Sequence, residues 1–396
     1  MKSVLADDVR NALEKASWIR RMFEEGGRLI AERGAENVFN FTLGNPLPEP
    51  PEAFHQAVRQ VVDAPVEGQH RYLPNAGLPD VRKYVAEHLS TQTGLPYTEN
   101  QIVMTTGAAG ALNVALKALL NPGDEVIAFT PYFVEYDFYA ANHGGKLVRV
   151  DTDDHFQLDL GALKSAITPQ TRAVLINSPN NPSGAVYPEE DLKALAQVLR
   201  EASDQHGRPI LLISDEPYRY IVFDGTEVPW VPALYEHTLL ATSHSKDIGL
   251  AGERVGYLAI SPTCADQAEL MDACVFANRV LGFVSAPGIV QRVLPLLKGK
   301  LSDLSIYTRL RDKMVPPLLE MGYELVPPKG AFYLFPRSPI PDDVAFVKEA
   351  QEEGLLLVPG SGFGRPGYFR IALCVEEDVV DRALPVFEKL IKKNQT

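Results

Sequence analysis

One lysine in this chain has surroundings suited to covalent chemistry. Lys246 follows two small hydroxyl residues in Ser243-His244-Ser245-Lys246-Asp247, and Arg254 comes eight positions later, beyond the glycine-bearing turn Gly249-Leu250-Ala251-Gly252. An amine so placed suits covalent bonding to an aldehyde, with the arginine and a hydroxyl at hand for a bound phosphate. Two polar segments precede it, Ser178-Pro179-Asn180-Asn181-Pro182-Ser183-Gly184 and Asp215-Glu216-Pro217-Tyr218. Asp215 stands 34 and Lys246 65 positions beyond Asn181. Taken singly these signals are ordinary: the first segment has the composition of a turn, and an aspartate ending an apolar run is commonly a helix cap or half of an ion pair. Their order and spacing make them specific.

Each segment follows an apolar run that reads as a buried strand. Residues 173–177 (AVLIN), 210–214 (ILLIS) and 238–241 (TLLA) lead into the three segments, and 125–129 (EVIAF) reads as a fourth strand. Amphipathic stretches such as 188–202 (PEEDLKALAQVLREA) lie between them. Strands without alternation, separated by helices, predict an α/β fold with a mostly parallel sheet covered on both faces. Ligands of such sheets sit outside the carboxyl ends of the strands, where all three segments fall. The turn Thr105-Thr106-Gly107-Ala108-Ala109-Gly110-Ala111 opens an apolar helix, and its small residues expose backbone N–H groups suited to an anion. The segment 42–51 (TLGNPLPEPP) carries four prolines and must be loop, with Gly44 allowing close approach to the backbone.

After Pro287 the pattern changes. A long helical region over 288–321 is expected, then short strands near 331–335 and 368–373 and a helix near 376–392. The expected organisation is an N-terminal arm and part of a smaller α+β domain over 1–44, mostly helical to residue 36, a large domain over 45–287, and the smaller domain over 288–396. The length itself, 396 residues, favours two domains over a single core.

The formal net charge of −13 argues against nucleic acid or an anionic membrane as partner. Three cysteines show no metal-ligand spacing and read as reduced thiols, so no metal is expected. No run of about 18 apolar residues appears, and residues 1–17 lack the apolar stretch of a signal peptide. A cytoplasmic protein is the expectation.

From the LGNP loop to Phe369-Arg370-Ile371-Ala372-Leu373-Cys374, the landmarks occur in the order of one family. The chain resembles the pyridoxal-phosphate-dependent class I/II aminotransferases of fold type I. The resemblance implies a large domain with a seven-stranded, mainly parallel sheet, pyridoxal 5′-phosphate as cofactor, and a homodimer with shared active sites. It implies that Lys246 forms the Schiff base and carries the proton, that Asp215 pairs with the pyridinium nitrogen, and that Asn181 and Tyr218 meet the 3-oxygen. Phe133 would stack on the ring. Gly107, Ala108, Ala109, Ser243, Arg254 and the partner's Tyr72 would hold the phosphate. Gly44, Asn181 and Arg370 would bind substrate, the arginine gripping an α-carboxylate.

The implied reaction moves an amino group from an L-amino acid to a 2-oxo acid. The same catalytic set also serves a lyase on this scaffold, either a carbon–sulfur β-lyase or one resembling aminocyclopropane-carboxylate synthases. Departures concern the substrate side chain. Ala109 stands where some aspartate-preferring members have lysine, Phe133 where many have tryptophan, and Arg279 falls one place from the arginine that others use.

Overall fold

The computed structural model describes residues 4–7, 9, 10, 13 and 26–394. Residues 26–33 are helical; most of the helix expected over 1–36 lies outside the described residues. The chain forms two compact units. The larger comprises Pro46–Ile306 and Pro328–Ala331, and the smaller the described residues of Met1–Asn45 with Tyr307–Pro327 and Phe332–Thr396.

The larger unit is built on seven strands: β1 (Ile102–Thr105), β2 (Glu125–Thr130), β3 (Lys146–Asp151), β4 (Thr171–Asn177), β5 (Leu211–Asp215), β6 (Thr238–Ser243) and β7 (Gly256–Ile260). Their order across the sheet is β1-β7-β6-β5-β4-β2-β3. All are parallel except β7, which runs antiparallel to both neighbours. The expected mainly parallel, seven-stranded α/β sheet is therefore present. β2 and β4 to β6 are the four apolar runs legible in the sequence; β1, β3 and β7 complete the sheet.

Successive residues of a strand face opposite sides, and the core divides accordingly. Val126, Ala128, Leu175 and Ile213 pack with α2 (Gly107–Leu119) and α5 (Gln267–Val280). Ile127, Phe129, Val174 and Leu212 pack with Leu192, Leu195 and Leu199 of α4 (Glu189–His206). α1 (Pro79–Thr93), α3 (Glu135–Asn142) and α6 (Gly288–Leu297) complete the helices used below. The helical region expected over 288–321 is two helices, α6 and Ser305–Glu320. The break falls at Lys298 and Gly299, both left-handed (φ 50° and 75°), which carries the chain out of the helix.

In the smaller unit β8 (Tyr333–Leu334), β9 (Val358–Pro359) and β10 (Phe369–Ala372) form an antiparallel sheet with β10 in the centre. Phe39–Asn40 pairs in parallel with Leu355–Leu356. Phe41, Phe346, Phe369 and Phe387 are buried beside these strands and the helices Asp343–Glu352 and Glu377–Asn394. No described helix is long and apolar enough to cross a membrane.

Candidate active site

Register aligns the carboxyl ends of the central strands. Asn177 of β4 lies opposite Asp215 of β5, which lies opposite Ala241 of β6. Thr105 and Ser243 flank Gly256, the first residue of β7. The polar turns that follow β4, β5 and β6 thus leave the sheet at one edge.

Side-chain amides fix the first of these turns. Asn177 Nδ2 donates to the Asp215 carbonyl (2.8 Å), and its Oδ1 accepts from the Asn181 N–H (2.7 Å). The Asn180 carboxamide oxygen accepts from Ser183 Oγ (2.8 Å) and the Ser183 N–H (3.1 Å). Asn181 is buried on this braced loop.

Asp215 is only 5% exposed. Its Oδ2 accepts from the Tyr136 hydroxyl of α3 at 2.5 Å, whereas its Oδ1 is buried with no hydrogen-bond partner among the described residues. Burial pushes this carboxyl up to about 7; the Tyr136 hydrogen bond opposes the rise and the nearby Glu216 charge adds to it. Tyr136 is itself fully buried, and burial beside Asp215 lifts its phenol well above the usual range, so it remains the donor. Nothing local in the sequence marks Tyr136, which meets Asp215 across 79 positions. It is the site residue that sequence reasoning missed.

Tyr218 is buried on the turn after β5. Lys246 is half-buried on the turn after β6, between the buried Ser245 and Asp247 and close to the buried Ser243. That turn is stapled by His244 Nδ1 to Asp247 Oδ2 (2.9 Å), by the His244 N–H to the Val255 carbonyl (3.0 Å) and by the Leu250 N–H to the His244 carbonyl (3.0 Å).

The amino end of α2 adjoins Ser243 through Gly256. A Cβ at Gly256 would stand 3.0 Å from the Gly107 Cα and closer still to the Thr242 carbonyl, so only glycine lets the three backbones meet. Thr106, the helix N-cap, makes no side-chain cap bond to the first turn of Gly107, Ala108 and Ala109. The Arg254 guanidinium stands beside Gly107, donating to the carbonyls of Ala251 (2.9 Å) and Thr106 (3.4 Å). A helix amino end with a neighbouring guanidinium is an anion seat.

Phe133 follows β2, its ring set edge-on to Tyr136 at 5.6 Å. The larger unit therefore gathers Gly107, Ala108, Ala109, Phe133, Asn181, Asp215, Tyr218, Ser243, Lys246 and Arg254 around one edge of its sheet. Tyr72 stands apart from them among the described residues and is 94% exposed.

Gly44 and Arg370 belong to the smaller unit and adjoin one another there. Arg370 is buried in β10, donates to the Thr42 carbonyl (2.7 Å), and lies between the rings of Tyr333 (4.7 Å) and Phe363 (4.8 Å). A side chain at Gly44 would collide with the Tyr333 hydroxyl.

Residues 36–387 match the family described as aminotransferase class I and II. An aspartate/prephenate aminotransferase of Thermus thermophilus is 32% identical over 376 residues, covering 92% of this chain and 93% of that protein. Aromatic-amino-acid aminotransferase 2 of Thermococcus litoralis is 30% identical over 398 residues, covering 96% of each. The crystal structure of an aminotransferase from Eubacterium rectale superposes over the whole of both chains with a TM-score of 0.96 at 38% identity. A half-satisfied buried carboxylate, an anion seat and a lysine on adjacent turns of one sheet edge are thus found on the same scaffold, and the chain belongs to the class I and II aminotransferases.

Proposed function

We propose that this chain transfers the amino group of an L-amino acid to a 2-oxo acid, with pyridoxal 5′-phosphate as cofactor. The observation that carries the reading is Asp215: a buried carboxyl with one oxygen held by Tyr136 and the other without a partner among the described residues. A pyridinium N–H is the partner that such an oxygen suits, and the charge pair would hold Asp215 ionised. The rest of the edge fits the same molecule. The amino end of α2, Ser243 and Arg254 would hold its phosphate, Asn181 and Tyr218 its ring oxygen, and Phe133 a ring face. Lys246 would hold its aldehyde carbon. When bound, the cofactor supplies an electron sink for breaking a bond at the substrate Cα.

The residues of the chain then have distinct tasks. Lys246 would take the proton from the substrate Cα and deliver it to the carbon on the far side of the substrate nitrogen. Asp215 would sustain the positive charge on the ring nitrogen, with Tyr136 fixing the orientation of the carboxyl. Arg370 of the smaller unit, with the Gly44 backbone alongside, would grip an α-carboxylate bidentately. Tyr72 serves the neighbouring subunit of a homodimer. Its near-complete exposure supports that role, as do the exposed apolar residues Val62, Val66, Phe276 and Val280. Three free cysteines support a reducing compartment such as the cytoplasm.

The test is the absorbance of the cofactor-loaded protein during single additions of amino acids, aspartate and the aromatic amino acids first. Bleaching of the yellow band, reversed by a 2-oxo acid, is expected. A band that persists while pyruvate or ammonia accumulates would make the protein a lyase instead. Failure to bind the cofactor at all would overturn the reading of Lys246.

A further inference from the structure

The catalytic turns have a second side. A cavity of about 170 Å³ in the larger unit is lined by Glu216 and not Asp215, by Arg219 and not Tyr218, and by His244 and Asp247 and not Lys246. Tyr84 and His88 of α1, Trp230, Leu240 of β6, Tyr257 of β7 and Leu294 of α6 complete much of its wall. Gly299, Lys300 and Leu301 stand exposed at its mouth, open to solvent.

The buried charges of the inner wall are already matched. Arg219 Nε donates to Glu216 Oε2 (2.6 Å), and its other nitrogens donate to the carbonyls of Val228 (2.8 Å) and Pro229 (2.9 Å). The guanidinium also covers the Trp230 ring at 3.6 Å. Glu216 Oε1 accepts from Ser214 Oγ (2.6 Å), and His244 is held by Asp247. His88 Nε2 lies 3.2 Å from the Tyr220 hydroxyl, and burial near His244 and Arg219 holds the imidazole below its usual range. An ion entering here would lose hydration and meet no unmatched countercharge inside the wall; Lys300, the one lining charge without an ion pair among the described residues, stands exposed at the mouth.

Tyr257 differs. It is 6% exposed, its ring forms part of the wall, and its hydroxyl makes no hydrogen bond to any described residue. The hydroxyl is not cut off from the solvent that fills the cavity, so a polar group of an incoming molecule can reach it. Around it the wall offers ring faces and aliphatic carbon, which reward a flat apolar body.

We propose that this cavity binds a small, planar, uncharged aromatic molecule carrying one polar group, which meets the Tyr257 hydroxyl. The site is separate from the one that takes the amino acid, yet a ligand in it touches the sequence neighbours of Asp215, Tyr218 and Lys246. The inference does not depend on which amino acid the enzyme uses.

Indole is the probe, titrated calorimetrically into the full-length, cofactor-loaded protein. One saturable site is expected, weakened about tenfold in Tyr257→Phe, the cost of one hydrogen bond. 1-Methylindole, which lacks the N–H, should bind wild type and Tyr257→Phe alike. Leu294→Trp, which fills the cavity, should abolish indole binding; thermal melting checks that both variants fold, and Tyr257→Phe decides the matter alone if Leu294→Trp does not. Absence of a saturable signal in wild type overturns the proposal. So does indole affinity unchanged in Tyr257→Phe, or binding that survives in folded Leu294→Trp, which would place indole elsewhere.

Discussion

Asp215 and Glu216 are adjacent, buried carboxyls, yet the two sides of the sheet edge treat them oppositely. Glu216, on the far side, is matched by Arg219 and by Ser214. Asp215, on the near side, has one oxygen held by Tyr136 and one left over. A protein interior ordinarily satisfies every buried polar atom. Where the matching is complete the residue serves the fold; where it stops halfway, a ligand has been left room.

Four changes would break or sharpen this contrast, from the largest expected effect to the smallest. Lys246→Ala should lower amino-transfer turnover by at least about four orders of magnitude, roughly 5.5 kcal/mol in barrier, while the far-ultraviolet spectrum and the melting temperature stay near wild type. Full activity in that variant would sink the role given to Lys246. Glu216→Gln should do the reverse. It leaves a buried guanidinium without its counter-ion and should cost about 3–5 kcal/mol of stability, read from denaturant unfolding.

Asp215→Asn tests the near side through pH. In cofactor-free protein the Asp215 carboxyl titrates near 7, against about 3.9 when unfolded. Between those values the folded form binds more protons than the unfolded one, so stability falls as pH rises from about 4 to about 7 and is flat above. The loss is on the order of 4 kcal/mol. Asp215→Asn should remove that slope and, at pH 8, leave the cofactor-free protein more stable than wild type. A slope surviving in the variant would assign it to other groups. Tyr136→Phe is the mildest. It keeps the ring and removes one hydrogen bond to a carboxylate, so kcat should fall about ten- to thirtyfold while the Asp215 carboxyl titrates higher still. An unchanged rate would reduce Tyr136 to packing.

What the sequence revealed and what it withheld have a common cause. Lys246, Asp215 and Asn181 were legible because each follows an apolar run whose length and composition fit a buried strand, and parallel strands deliver their ends to one edge. Tyr136 was not legible, since a contact across 79 positions is made by the packing of α3 and leaves no local trace. β1, β3 and β7 escaped for other reasons. β3 is an edge strand with mostly open side chains, while β1 and β7 run antiparallel to each other, outside the parallel strand–helix alternation. The break between α6 and the next helix rests on Lys298, a lysine in a left-handed conformation that its residue type does not favour.

Gly256 carries a consequence for how this enzyme can change. Most binding sites are rewritten by exchanging side chains, one substitution at a time. Here the seat beside α2 is dimensioned by main chain against main chain, with Thr242 and Gly107 both packed against Gly256. Drift or engineering can therefore alter what is recognised around the seat, but the distance between β6, β7 and the helix end has no side chain through which it can be adjusted. The part of the molecule most tolerant of new substrates and the part that sets the position of the shared chemistry are kept apart by one missing methyl group.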